Sequence, residues 1–520
     1  MEQSGSEIAA KRVKPSDGAA AAAGEDLLSA LPDDVLVLIL LRLGTAAAVQ
    51  TSSLSRRWRR VWALLPELRF HLAPDGPRIR ELLDAPEAPE LRCVSVTTED
   101  AAPHSAAAWL PVAARRLSGD LVYHNVVRGN HVDEDDDDDD GDEEEAEEAG
   151  VRGDVQLPCF GKAIKIVLNL GFLSLALPSM GIFPRLTKLS LSRVRFRGPC
   201  ELGNLVSSPR CPCLQKLKVH DSRGLHNLSI HSESLLQIKL ESLYSLQQLT
   251  IVAPALLGLA VTFSFIDDDP SKPIANISAP QLVSLTWRDL YDPRYVHLGN
   301  LGRLQKLNSF FIVYGQHASR DKNQYCLRLL QQFQVIHSLK LMLVYRKDID
   351  DFQYLMGDMK MLPQITFLQL AVSNEGHAFG ASSFHLLRMC TGLRRLVFVL
   401  HDNRNLEAQS TCPSGCICDQ PTSWKTEGLV LNHLEHVTIF GLQGAEREVT
   451  FVKQLFSWAM VLKNIRITFD YQVTESKARD FCQALAGFSR PETSVEFHLF
   501  RDADKRSVYL LAPEGQGTDL

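Results

Sequence analysis

The phrase L-x-x-L-x-L recurs through most of the chain, and few folds can accommodate such repetition. From about residue 155 it stands at Leu186-Leu189-Leu191, Leu214-Leu217-Val219, Leu235-Ile238-Leu240, Leu256-Leu259-Val261 and Leu282-Leu285-Trp287. Ile336-Leu339-Leu341, Ile365-Leu368-Leu370, Leu393-Leu396-Phe398, Leu434-Val437-Ile439 and Leu462-Ile465-Ile467 continue it, with starts mostly 21 to 32 residues apart. Each copy reads as a short strand whose alternate side chains share one face. One such unit cannot cover that face alone, so neighbours must stack into a solenoid.

Two details refine the expectation. Between Leu214 and Leu259 the phrase also falls at half-spacing, as Leu225-Leu228-Ile230 and Leu246-Leu249-Ile251. That predicts a second strand per turn and a second sheet on the convex side. The asparagine that often follows the third apolar position is absent; Val194, Ser222, Leu243, Ser373 and His401 stand there. Without its ladder of backbone bonds the repeats should be irregular.

Leu31 to Pro66 reads differently, as two amphipathic helices joined by an alanine-rich turn of helix. Pro32 suits a first helical position, with Asp33 and Asp34 at the positive end of the dipole. Leu36, Ile39, Leu40 and Leu43 follow at i, i+3, i+4, i+7. Gly44 reads as a C′ stop, Thr45 as a new N-cap, and Ser53 or Ser55 as the cap of a last helix carrying Leu54, Trp58, Val61, Trp62 and Leu65. A segment this short cannot bury so many large side chains by itself, which implies completion by another protein. Arg56, Arg57, Arg59 and Arg60 could suggest a DNA-reading helix. Two tryptophans share that helix, however, and the chain is acidic overall, which argues against nucleic acid.

These residues carry a resemblance. Leu31-Pro32, the Leu36/Ile39/Leu40 spacing, and Leu54-Ser55-Arg56-Arg57-Trp58-Arg59 through Trp62 resemble an F-box, departing at Gly44 where many relatives have proline. The repeats are similar to leucine-rich repeats. The run Leu434–Ile439, Gly441, Gly444, Glu446, Phe451-Val452-Lys453 and Ala459–Lys463 resembles the FBD-type end of plant F-box/leucine-rich-repeat proteins, a strand–helix–strand closure with an amphipathic helix over 450–463. The segment of Cys412, Cys416, Cys418, Pro421 and Trp424-Lys425 resembles that of such proteins from grasses. The resemblance implies an α/β fold class, a small helical F-box followed by an irregular leucine-rich-repeat solenoid. It further implies the substrate-recognition subunit of an SCF-type ubiquitin ligase. Leu31, Pro32, Leu36, Ile39, Leu40, Leu43, Leu54, Ser55, Trp58 and Trp62 would meet a Skp1-type adaptor and, through it, a cullin–RING ligase. The repeats would hold an unknown protein substrate. A repeat scaffold, or a small-ligand co-receptor without a ubiquitylation role, is the alternative.

The organisation expected is a disordered N-terminus (1–24), the F-box (25–70), an early repeat or linker region (71–154) with an acidic disordered insertion (133–150), repeats (155–425), an FBD-like end (426–505) and a tail (506–520). Asp133–Glu148 holds fourteen acidic residues; without them the net charge of −7 becomes +7. Self-repulsion should keep this tract unfolded, where it could occupy a basic surface. Ile166–Phe183 and Leu249–Ile266 lack charges, but Asn169, Gly171, Pro178, Pro254 and Gly258 break them, so no membrane span is expected. The eleven scattered cysteines and a polar start point to cytoplasm and/or nucleus; Lys11-Arg12-Val13-Lys14 is too short to read as a nuclear signal.

Catalytic motifs are not found, and no enzyme activity or cofactor is expected. Cys412-x3-Cys416-x-Cys418, with His401 eleven residues before, lacks the second chelating pair of a zinc site, so a reduced loop is the reading. The positions that point outward between buried leucines carry Lys188, Lys216, Lys218, Lys239, Arg288, Lys306, Lys340, Arg395 and Arg466, with few acids such as Glu241. That pattern makes them candidate target-binding residues on a face suited to an acidic ligand.

Overall fold

The computed structural model describes residues 27–72, 76–84, 90–128, 154–197, 201–265, 273–315, 317–346, 349, 353–401, 416–420, 422–485, 487–488, 490–500 and 508–510. The N-terminal 1–24, the acidic tract 133–150 and Cys412 lie outside the described residues. Two compact units divide the chain, one ending at Leu65 and one beginning at Pro66.

The first unit is helical: Leu27–Ala30, Asp33–Leu41, Thr45–Gln50 with a further 3-10 turn over Thr51–Ser53, and Arg56–Ala63. Ser55 is the cap of the last helix, its hydroxyl accepting the Trp58 N–H at 3.3 Å. Pro32 stands one place earlier than expected, at the N-cap (φ −61°, ψ 154°). Gly44 is not a left-handed stop; at φ −62° it is itself the N-cap of the helix that Thr45 begins. The first helix ends on ordinary αR geometry at Arg42, so no left-handed residue is needed there.

The second unit is built on one sheet of seventeen strands. It starts at Glu67–Phe70, passes through Leu91–Glu99 and Leu117–Val126, and then takes each L-x-x-L-x-L strand in chain order. Pairing is parallel throughout until Val508–Leu510 closes on Ser494–Phe500 antiparallel. The register follows from the buried positions. Leu189, Leu217, Ile238, Leu259 and Leu285 lie side by side on successive strands, all buried, and Leu339, Leu368, Leu396, Val437 and Ile465 extend the same row. A slip of one residue would send that row to solvent.

The two half-spaced phrases lie in a second sheet, as Asn227–His231 and Gln248–Val252, and two further strands that the phrase did not mark, Ile274–Ser278 and Val296–His297, extend it in parallel register. Later turns return instead through helices at His317–Gln331, Gly380–Met389, Glu446–Trp458 and Glu475–Leu485. The irregularity of the repeats therefore sits in their return segments. The two charge-free windows resolve into short strands, and among the described residues no helix is long and apolar enough to cross a membrane.

Strand exits share a feature that the sequence does not advertise. Asp100, Arg193, Asp221, Ser242 and Phe263 each follow directly on a strand with φ between 46° and 55°. Non-glycine residues seldom adopt this left-handed conformation, which costs on the order of 1 kcal/mol each. Side chains supply the missing asparagine ladder locally. The Ser222 hydroxyl accepts the Val194 N–H at 3.3 Å and donates to the His220 carbonyl at 2.9 Å, while Asp289 accepts the Ser264 and Phe265 N–H groups at 2.9 and 3.1 Å.

At the C-terminal end the amphipathic helix runs over Glu446–Trp458, about four residues earlier than 450–463. Gly441 and Gly444, both at positive φ, turn the chain into it, and Phe451 packs between Phe398 and Phe379 at 4.9 and 5.4 Å between ring centroids. Buried Glu448 collects the N–H groups of Gln443, Gly444 and Ala445 at 2.9, 2.8 and 3.1 Å on one oxygen. Burial pushes its carboxyl up, against the downward pull of those donors. Replacing Glu448 by alanine strands three donors, and the urea midpoint should fall by an amount equivalent to about 2–3 kcal/mol. An unchanged midpoint would mean that solvent satisfies the turn.

Candidate docking surfaces

In the helical unit, the residues picked from the sequence fall into two groups. Leu36 and Leu40, on the helix Asp33–Leu41, are 1% exposed, and Ala48, Val61 and Leu65 of the following segments are buried as well. Leu31, Trp58 and Trp62 are half-buried, and Pro32 and Ser55 are exposed. Ile39, Leu43 and Leu54 are turned out, with Leu54 68% exposed. Leu38, outside the predicted stripe, is 62% exposed, and Leu28 and Leu64 are exposed as well. So many large apolar side chains left open on a unit this small mark an interaction surface. Leu38 could have been found by asking which leucines the helical stripe leaves over.

One polar clasp holds the helical unit together. The Arg57 guanidinium bonds Asp33 Oδ1 at 2.8 Å through Nε and reaches the Leu31 carbonyl as well. It ties the last helix to the start of the first, so the arginine cluster is partly structural. Such a half-exposed pair contributes at most about 1 kcal/mol in isolation.

On the main sheet, first, third and fifth strand positions face away from the buried rows. All nine cationic candidates occupy these positions. Lys188 and Lys216 are register neighbours, as are Lys218 and Lys239 on adjoining strands. Lys188, Lys216, Lys239, Lys306 and Arg395 are exposed and form no ion pair among the described residues. Lys218 is bound to Glu241 at 3.1 Å and Arg466 to Glu496 at 2.8 Å. Lys340 is half-buried.

Arg288 differs from the other eight. Desolvation lowers its pKa, its guanidinium lies 5.9 Å from the Phe310 ring centroid, and it bonds Asn308 at 3.3 Å. It lines a pocket of about 130 Å³ with Tyr244, Phe263, Phe310 and Tyr325. Arg288 is thus a pocket wall more than a point on an open face.

The cysteine segment is partly described. Cys416 and Cys418 belong to a short loop, while His401 ends the strand Arg395–His401 and lies apart from them. The histidine beside the two thiols is His377, thirty-nine residues before Cys416.

Comparison with known proteins bears on both units. The F-box domain model matches residues 28–70, and the model for the leucine-rich repeats of the FBD-associated F-box protein At5g56370 matches residues 160–298. The F-box/LRR-repeat protein At3g03360 of Arabidopsis thaliana is 52% identical over 67 residues, 13% of this chain and 14% of that protein. A candidate F-box/FBD/LRR-repeat protein of the same plant, At4g03220, is 25% identical over 91% of this chain and 95% of its own length. The FBD-associated F-box protein At4g10400, also from Arabidopsis thaliana, is 26% identical over 55% of this chain and 61% of its own. Apart from At4g03220, these matches span less than two thirds of the relatives' lengths. No solved structure matches the chain.

The burial pattern makes the ten helical residues separable by experiment. Leu36→Ala and Leu40→Ala should each cost about 2–5 kcal/mol and melt the helical unit. Leu43→Ala and Leu54→Ala should change its stability by no more than about 0.5 kcal/mol. Circular dichroism melts of the four variants compare them directly; equal losses would contradict the division.

Proposed function

We propose that this chain, an F-box/leucine-rich-repeat protein of the plant type with FBD-associated features, is the substrate-recognition subunit of an SCF-type ubiquitin ligase. The observation that carries the reading is the open apolar surface of Leu38, Ile39, Leu43 and Leu54 on the F-box. A Skp1-type adaptor supplies the missing apolar partner, and Leu31, Pro32, Ser55, Trp58 and Trp62 frame the contact. No bond is made or broken by this chain. Its contribution is proximity: a target held on the repeats is tethered near a ligase-bound E2, and a bimolecular encounter becomes an intramolecular one. The complex would work in the cytoplasm or the nucleus.

The target side of the proposal rests on the lysines. Like charges on directly neighbouring strand positions are unfavourable, so Lys188 beside Lys216 costs stability that an anionic partner would offset, whereas Lys218 beside Lys239 already has Glu241 as a counter-ion. An acidic segment of a target protein fits there, with Lys306, Lys340, Arg395 and Arg466 extending the contact along the sheet. The alternative of a small-ligand co-receptor has one observation in its favour, the aromatic pocket beside Arg288.

Co-expression of the full chain with a Skp1-type adaptor should yield a stable complex. The Leu43→Asp/Leu54→Asp and Leu31→Ala/Pro32→Ala variants should weaken it by at least about tenfold, roughly 1.4 kcal/mol. A wild-type chain that binds no adaptor overturns the reading. For the repeats, Lys188→Glu/Lys216→Glu/Lys239→Glu should abolish binding of a poly-glutamate probe at low salt and leave adaptor binding intact. Equal binding by wild type and variant would remove the lysines from the target site.

A further inference from the structure

We propose a zinc site made by His377, Cys416 and Cys418. The three donor atoms lie within 4.8 Å of one another, and His377 Nδ1 is 3.6 Å from Cys416 Sγ. Zinc bound at ~2.3 Å to sulfur and ~2.0–2.1 Å to nitrogen in a tetrahedron sets sulfur and nitrogen roughly 3.6 Å apart. The loop therefore already holds one ligand pair at the spacing the ion requires.

The surroundings fix the donors. His377 is buried in the connection between the strand Phe367–Ser373 and the helix Gly380–Met389. Its backbone N–H donates to the Asn374 carbonyl at 2.6 Å, and the Asn374 side-chain amide donates to the His377 carbonyl at 2.8 Å. The Tyr345 ring stacks on the imidazole, 22° from parallel. Across the gap, the Ala378 N–H donates to Cys418 Sγ at 3.3 Å, and the Tyr314 hydroxyl donates to the Ile417 carbonyl at 3.0 Å. Outer bonds of this kind hold metal ligands in place.

The charges also balance. Binding displaces the protons of two thiols to solvent, and two thiolates with a neutral imidazole cancel the charge of Zn²⁺. A neutral cluster suits a site where Cys418 and His377 are both buried. The ion would clamp the Cys416–Cys418 loop onto the preceding repeat. Three donors leave the fourth tetrahedral position to solvent.

The test is metal content of the full chain, expressed without a histidine tag, passed through a weak chelator and measured by inductively coupled plasma mass spectrometry. About one zinc per chain is expected for wild type and for the control Cys213→Ser, falling below about 0.2 in His377→Ala, Cys416→Ser and Cys418→Ser. Cobalt exchanged into the wild-type chain should give thiolate-to-metal charge-transfer bands and tetrahedral d–d bands, with an intensity that counts the thiolates. That spectrum decides the question even where a variant fails to fold. Zinc well below one per wild-type chain, zinc retained in Cys416→Ser and Cys418→Ser, or a cobalt spectrum without charge transfer overturns the site.

Discussion

A five-residue strand turns only two side chains inward, so no repeat of this chain has a core of its own. Leu217 and Val219 are covered because Leu189 and Leu191 lie on one side and Ile238 and Leu240 on the other, in exact parallel register. That dependence places everything else. It sets the outward rows on which the lysines sit, and it aligns the strand exits one above another. It also explains why the last parallel strand is covered by a reversed one, since it would otherwise expose its edge.

The F-box solves a related problem differently. Its helix Asp33–Leu41 spends Leu36 and Leu40 on the core of the unit and leaves Leu38 and Ile39 over, with exposed Leu43 just beyond its end. The clasp from Arg57 to Asp33 and the Leu31 carbonyl keeps both ends of the motif in register while that surface stays open. The core of the unit and the surface proposed for docking therefore draw on adjacent residues of one helix, separated only by the 100° each residue turns.

The main sheet from Leu186 onward, two strands of the second sheet and the helical F-box were legible in the sequence because each rests on apolar periodicity, whereas the opening strands Glu67–Phe70, Leu91–Glu99 and Leu117–Val126 do not carry the phrase. What stayed hidden depends on contacts between distant residues. The left-handed strand exits fall on Asp100, Arg193, Asp221, Ser242 and Phe263, none of them the glycine that announces such a turn. Gly44, which did suggest one, is in extended geometry. Arg288 stands at an outward position, yet Phe310 beside it gives it a ring to lie on. His377 could not be paired with Cys416 from spacing, because thirty-nine residues and a strand separate them. His401, near Cys412 in sequence, ends the strand Arg395–His401 and is not part of the cluster.

The outward rows have one more consequence. Their side chains leave the leucine ladder untouched, so exchanging Lys239, Lys306 or Arg395 leaves the packing of the repeats as it is. Across many generations that outward face can be rewritten one position at a time while the scaffold stays constant. If the face holds a target as proposed, a lineage that duplicates this gene begins with two receptors for one target and is free to drift toward two targets.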